Sequence, residues 1–333
     1  MINQPLSSAL DSSVVRTVEV LLATYNSATY LVPLIESLLA QSIQNFRLII
    51  SDDCSTDDTV AILQRYLPLF RHPVQLHVRS TQSGSAMANF AGLMQTSNAD
   101  YVFLCDADDI WHPDKLEKFL ALARSKEAAL GSNTPMFLYS DARIINGYGI
   151  VTHPSYWRYK KITPARCVAL PRLLICAPML GCAALINRAL VQLAANVPVD
   201  RVTGHDWWAL LVAASLGHVS YLDEATIDYR IHGRNASQPK EVTFSRLSQL
   251  AGPYSMRLSG PIHEVRRRLA IRQRQAEPLL EQFANRLPDA TRVIIERFVA
   301  TRDQSFFARR FTLVGNGHTY PDVTRNLAMM LFC

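Results

Sequence analysis

Asp106-Ala107-Asp108-Asp109 puts three carboxylates into four residues. Carboxylates packed this closely repel one another. A divalent cation relieves that repulsion, and hard oxygen ligands suit Mg2+ or Mn2+. Two alternating carboxylates, water and a diphosphate complete an octahedral shell, and the ion neutralises charge on a leaving diphosphate. An Asp-x-Asp by itself says little, because a solvated acidic loop ahead of a helix has the same string. Its company matters more. The acidic run follows the apolar stretch Tyr101 to Cys105, Asp52-Asp53 follows Phe46 to Ser51, and Thr24-Tyr25-Asn26 follows Val18 to Ala23. Three apolar runs thus each end on polar groups.

The elements that must position these groups are an alternation. Val18 to Ala23 reads as a buried strand, and a helix follows with Leu31, Leu34, Ile35, Leu38 and Leu39 on one face. Phe46 to Ser51 is a second strand, and Thr56 or Asp57 caps a helix from about Asp58 to Tyr66. Gln75 to Arg79 is a short strand, Ser83 to Gln95 a helix and Tyr101 to Cys105 a fourth strand. Pro113 sits where the first residue of the next helix belongs. This rhythm predicts an α/β fold, Rossmann-like, with a mostly parallel sheet flanked by helices. Ligands gather at the carboxyl ends of such strands, where the polar groups lie.

Beyond residue 130 the pattern changes. Met136 to Ile145 and Gly149 to Thr152 read as an antiparallel pair joined through Asn146-Gly147. Strand signals recur at Ala183 to Asn187, Val219 to Leu222 and Ala225 to Ile231, with a helix from Asp206 to about Ser215. The division expected is a flexible leader over 1–15, an α/β domain over 16–238 and a helical, basic C-terminal region over 239–333.

The chain has 333 residues with 34 basic against 28 acidic side chains. That modest excess, spread along the sequence, suits acidic ligands or an anionic membrane surface and is no nucleic-acid footprint. The six cysteines have no CxxC spacing and read as reduced thiols of a cytoplasmic protein. No secretory leader and no apolar run of membrane-spanning length is expected. Other motifs fail: an EF-hand loop from Asp53 meets Asp58 where glycine is required, and there is no phosphate-binding GxxxxGK[ST] or GxGxxG loop.

Thr24-Tyr25-Asn26, Asp52-Asp53-Cys54-Ser55-Thr56-Asp57 and Asp106-Ala107-Asp108-Asp109 together resemble the family 2 glycosyltransferases, which have the GT-A fold. Gly204-His205-Asp206-Trp207-Trp208 resembles the family's acidic base segment, and Tyr229-Arg230-Ile231-His232-Gly233-Arg234-Asn235 its closing Arg-x-His-Gly-x-Asn stretch. The resemblance implies that Thr24, Tyr25 and Asn26 line the nucleotide pocket and that Asp53 accepts the N3–H of uracil or thymine. It places Gly84 and Asn89 near the nucleoside or donor sugar. Asp106 meets the ribose or the metal, Asp108 holds the metal, and His232 completes the metal or diphosphate site. Asp206 is the general base, or else a cap of its helix. Trp207 and Trp208 offer an acceptor platform, with one of them expected in the core, and Gly181 lies beside the acceptor pocket.

The resemblance is closest to rhamnosyl- and O-antigen transferases. It implies an inverting transferase moving a sugar from dTDP-rhamnose or a UDP-hexose to a growing, lipid-linked surface polysaccharide. The C-terminal arginines read either as a solvated basic face or, with Phe306, Phe307, Phe311 and the Leu327 to Phe332 run, as a contact with an anionic membrane surface at the inner face of the plasma membrane. Two other readings compete. A sugar-phosphate nucleotidyltransferase needs a Gly-rich, Arg-containing loop where Ala23-Thr24-Tyr25-Asn26 stands. A non-catalytic carbohydrate- or nucleotide-binding module has little use for Asp206.

Overall fold

The structure, a computed structural model, describes residues 16–233 and 259–333. Its first half alternates as expected: β1 (Val18–Thr24), α1 (Ala28–Leu39), β2 (Arg47–Asp52), α2 (Thr59–Tyr66), β3 (Gln75–Val78), α3 (Ala86–Thr96) and β4 (Tyr101–Asp106). Then come β5 (Ile110–Trp111), α4 (Lys115–Leu130), β6 (Met136–Ile145), β7 (Val151–His153), α5 (Tyr156–Lys160) and α6 (Leu170–Leu173). β8 (Ala184–Asn187), α7 (Arg188–Ala194), α8 (His205–Leu216) and β9 (His218–Arg230) follow. Beyond residue 258 lie α9 (Ser259–Phe283), α10 (Asp289–Ala300), α11 (Phe306–Gly315) and α12 (Val323–Phe332).

The strands form one sheet in the order β3-β2-β1-β4-β8-β6-β9-β5, with β7 paired to β6. β1 to β4 are mutually parallel, β8 runs against both β4 and β6, and β9 is parallel to β6. Six strands therefore share one direction, and the reversed β8 joins the two parallel groups.

Alternation along β1 and β4 divides the core into two layers. Val20, Leu22, Tyr101, Phe103 and Cys105 face α1 and α4, packing on Leu34, Leu38, Leu116 and Phe119. Leu21, Val102 and Leu104 face the other way, into a core shared with Phe90, Trp208 and Leu211. Leu269, Leu279, Phe283, Ile295, Phe298 and Leu313 of the C-terminal helices belong to that same second core.

Three expectations need correction. Pro113 is not the first residue of α4; Asp114 caps that helix and Lys115 begins it. The preceding chain is still extended, with the His112 N–H bonded to the Thr226 carbonyl at 2.9 Å, so helix starts later. Val219 to Leu222 and Ala225 to Ile231 form one strand, not two. Ser140 pairs with Leu222 but Asp141 with Ala225, so Asp223 and Glu224 are accommodated as a bulge. The helix expected from Ser83 starts at Ala86, behind Ser85, whose hydroxyl accepts the Ala88 N–H at 3.1 Å. The expected leader, the boundary at 238, and Arg234 and Asn235 lie outside the described residues.

Candidate active site

The carboxyl ends of β1, β2 and β4 meet along one edge, as parallel pairing in register requires: Ala23 pairs with both Ser51 and Asp106. At the β1–β2 corner the polar side chains hold each other. Asp52, fully buried, accepts the Thr24 hydroxyl at 2.8 Å and the Ser55 N–H at 2.9 Å. Thr24 thus braces the turn from within rather than offering its hydroxyl to a ligand. Asn26 takes a left-handed conformation (φ 47°) and its side-chain carbonyl accepts the Thr56 N–H at 2.8 Å. Tyr25 stands exposed between them.

Asp53 accepts the Ser83 N–H at 2.6 Å and the Ser83 hydroxyl at 2.9 Å, and Arg79 Nε lies 3.4 Å away. It therefore fastens the loop that carries Gly84, which has φ 94° and open space around it. Asn89 is buried in α3, with its amide donating to the Ser51 carbonyl at 3.0 Å. It supports the end of β2 from beneath.

The acidic run divides by depth. Asp109 is buried beneath the surface, where it accepts the Arg230 N–H at 2.9 Å; burial first, then Asp108 and Asp106, push its carboxyl well above the usual range. The Cys182 thiol lies against it and is itself pushed up by burial and by Asp109. Asp106, Asp109 and Cys182 come within 4.8 Å of one another, but a protonated thiol is a poor ligand for a hard cation. Asp106 and Asp108 lie nearer the surface. Asp106 is raised to about 7, by burial first and then by the nearby carboxylates of Asp108 and Asp206. Asp108 Oδ2 lies 2.8 Å from His232 Nε2. The three residues expected to serve a metal are therefore together, and the crowding at Asp106 is what a bound cation relieves. A cleft of about 660 Å³ opens beside His232, lined also by Thr29, Tyr30, Gly147 and Tyr148.

Asp206 reaches the same place from across the sheet. It is the second residue of α8, not its cap; Gly204 holds the cap position and no side chain caps there. Asp206 Oδ1 accepts the N–H of Trp207 at 2.8 Å. Two glycines make room for it. A Cβ at Gly181 would stand 2.9 Å from the Asp206 Cβ, and one at Gly204 2.5 Å from Oδ1. The adjacent tryptophans separate. Trp207 is half-buried, its indole N–H on the Leu173 carbonyl at 2.9 Å and its ring 6.0 Å from the Arg272 guanidinium of α9. Trp208 corrects the expectation of an acceptor contact: it is wholly buried, bonded to the Ala194 carbonyl at 3.1 Å and stacked on Phe283, so its ring meets no ligand.

Residues 19–170 match the family described as Glycosyl transferase family 2. The segment from residue 19 to residue 170, just under half of the chain, belongs to that family. Among the curated relatives that match, two illustrate the overlap, each over part of its length. One is the amylovoran biosynthesis glycosyltransferase AmsB of Erwinia amylovora, 32% identical over 130 residues, 38% of this chain and 41% of AmsB. Another is the dTDP-rhamnosyl transferase RfbG of Shigella flexneri, 27% identical over 125 residues, 37% of this chain and 43% of RfbG. The chain thus spans less than half the length of each. Among solved structures, the mannosyltransferase PcManGT of Pyrobaculum calidifontis, in complex with GDP-Man and Mn2+, superposes with a TM-score of 0.50. It is 17% identical and covers 94% of this chain and 76% of its own. That likeness is one of fold alone, and the fold is the GT-A architecture expected from the sequence.

Two residues of the site were given no role from the sequence. Lys115 is fully buried beneath the acidic run; its Nζ donates to the Cys182 carbonyl at 2.5 Å and lies over the Trp111 ring at 3.4 Å. Burial lowers it to about 8, against the raising pull of neighbouring thiol and carboxyl groups. In sequence it is one more lysine at a helix start, so nothing marked it. Arg230 donates through Nε to the Asp108 carbonyl at 2.7 Å and through Nη1 to the Asn146 carbonyl at 3.2 Å. It fixes the backbone that carries Asp108, and its place in the Arg-x-His string was the available signal.

Proposed function

We propose that this family 2 glycosyltransferase moves a sugar, with inversion, from a nucleoside diphosphate sugar to a hydroxyl of a growing surface polysaccharide. The observation that carries the reading is the meeting of Asp106, Asp108 and His232 with Asp206 at one spot, drawn from β4, the loop after it, the chain beyond β9 and α8. Asp206 lies close enough to Asp106 to push its carboxyl up, so the base and the acidic pair face one reacting space. Asp206 takes the proton of the attacking hydroxyl from the side opposite the departing diphosphate. Asp108, Asp106 and His232 would hold Mg2+ or Mn2+, which supplies charge neutralisation to the leaving diphosphate when bound. The Mn2+ in the PcManGT complex supports that choice.

Asp53, fixed on its loop by Ser83, is the acceptor for the N3–H of a pyrimidine base, with Thr24, Tyr25 and Asn26 framing the nucleoside. A UDP-hexose or dTDP-rhamnose fits this reading, and the dTDP-rhamnosyl transferase among the relatives favours the latter. Trp207 and Gly181 border the acceptor, a lipid-linked saccharide at the cytoplasmic face of the membrane. Release of nucleoside diphosphate from a panel of donors with Mn2+ tests the reading. Asp108→Ala is expected to abolish transfer and weaken metal-dependent nucleotide binding. Asp206→Asn is expected to abolish transfer and leave that binding intact. Full turnover by the Asp206→Asn protein would remove Asp206 from the base role.

A further inference from the structure

Helix α11 is amphipathic the wrong way round for a water-facing helix. Its exposed residues are Phe306, Phe307, Ala308, Phe311, Val314 and Gly315, while Arg310 is turned inward and buried. Phe307 and Phe311 are 71% and 78% exposed. Helix α12 repeats the pattern with Val323, Leu327, Met330 and Leu331 outward, Val323 at 70% and Leu331 at 61%. Spacings of four and three residues align each set as a stripe. Arg310 joins the two helices, donating to the Met330 carbonyl and to the Phe306 carbonyl.

Cations flank these stripes. Arg266 donates to the Phe332 carbonyl at 3.1 Å, at the end of α12, and Arg309 to the Thr301 carbonyl at 2.8 Å. Both are close enough to Arg310 to act on its charge, and among the described residues none of the three makes an ion pair. Residues 259–333 hold twelve arginines against seven carboxylates, so +5 of the chain's +6 lies in this segment. An apolar surface of this kind is normally covered. A second copy would bring an equally positive layer against this one, whereas an anionic bilayer supplies both hydrocarbon and counter-charge.

We propose that α11 and α12 are the face by which this protein lies on an anionic lipid bilayer, with Phe307, Phe311, Val323, Leu327 and Leu331 in the acyl boundary and Arg266 and Arg309 at the headgroups. The inference deepens the lipid-linked acceptor proposed above and rests on that reading for its purpose, not for its geometry. The depth is that of an interfacial helix; among the described residues no helix is long and apolar enough to cross a membrane.

The test is co-sedimentation of the full chain with vesicles of phosphatidylcholine alone and with about one third phosphatidylglycerol. The expected result is binding to the anionic vesicles that weakens with salt. Phe307→Ser with Phe311→Ser is expected to lower the partition coefficient about tenfold or more, because two exposed rings no longer leave water. Arg266→Gln lowers it a few-fold, by about the contribution of one headgroup contact. The serine variant keeps its melting temperature and its Mn2+-dependent nucleotide binding. The proposal is overturned if the wild-type chain stays in the supernatant, or if the serine variant binds vesicles as well as wild type. It is also overturned if light scattering shows the variant breaking a dimer with no change in vesicle binding. Loss of nucleotide binding by the wild-type chain with vesicle binding intact would sink the transferase reading and leave the docking face standing.

Discussion

At the scale of single residues, Asp206, the proposed base, depends on two absent side chains. Gly181 and Gly204 lie so close to Asp206 that a Cβ on either would displace its carboxylate. Gly181→Ala is expected to cut turnover by about tenfold to a hundredfold, because small misplacements of a reacting group cost that much, and to leave donor KM nearly unchanged. Steady-state kinetics with the donor varied would show the split. Asp106 makes a second prediction. Its folded-state carboxyl is raised to about 7, above the usual 3.8, so below 3.8 it is neutral folded or unfolded. As pH rises from about 4 to about 7 the unfolded chain ionises first, and the metal-free fold loses stability on the order of 1–3 kcal/mol. Asp106→Asn is expected to match wild type near pH 4 and to melt several degrees higher at pH 8 without metal, while losing transfer. Equal melting temperatures across that range would remove the crowding at Asp106. The sequence made the carboxylates legible because acids at the ends of apolar strands are conspicuous. It left Lys115 and the deep position of Asp109 illegible, since neither spacing nor composition states which acid of a run turns inward.

At the scale of elements, β9 carries the site's far wall and is itself clamped. Asp228 accepts Arg143 Nη2 at 2.7 Å, and its other oxygen lies 2.9 Å from His112 Nε2, tying β9 to β6 and to the chain beside β5. Burial opposes the charge, yet the hydrogen bonds from His112 and Arg143 win and hold the carboxyl at about 2. A depressed acid contributes stability above its unfolded value near 3.8 and loses it as pH falls through about 2. Asp228→Ala is expected to cost about 1–3 kcal/mol at neutral pH, discounted because Arg143 is partly solvated, with the difference closing toward pH 2. Circular dichroism melts across pH measure both, and a flat difference would refute the clamp. Two residues later on the same strand Arg230 grips the Asp108 backbone, so the clamp also sets the register of the loop that carries Asp108. Strands were legible here wherever an unbroken apolar run ended in polar residues. β9 was read as two because Asp223-Glu224 interrupts its pattern, and a bulge absorbs such an interruption only when a partner strand is present. The two tryptophans of α8 were distinguishable only by what packs on them, and Phe283, which covers Trp208, is 75 residues away in sequence.

At the scale of the whole molecule, the C-terminal helices do two jobs that their composition separates poorly. Their arginines read as a solvated basic region. Their apolar residues divide between outward stripes on α11 and α12 and an inward set that completes the core around Trp208. Arg201 of the α/β part also pairs with Glu277 at 2.9 Å and Glu281 at 2.6 Å on α9, and the Thr203 N–H bonds to Gln275 at 2.9 Å just ahead of the α8 segment that presents Asp206. The helices therefore buttress α8, which carries Asp206, from behind. A chain ending at residue 258 would leave Trp208, Leu211 and their neighbours against water on one side, and losing this many large apolar contacts exceeds the net stability of an ordinary domain. Such a chain is expected to be insoluble or to melt without cooperativity. Phe283→Ala, which removes one ring from the shared core, is expected to cost about 3 kcal/mol and to lower the single melting transition of the full chain. Calorimetry distinguishes the cases. If the shortened chain unfolds cooperatively at the full-length temperature, or if Phe283→Ala creates a separate early transition and leaves the main one in place, the helices are an appendage and the core is not shared.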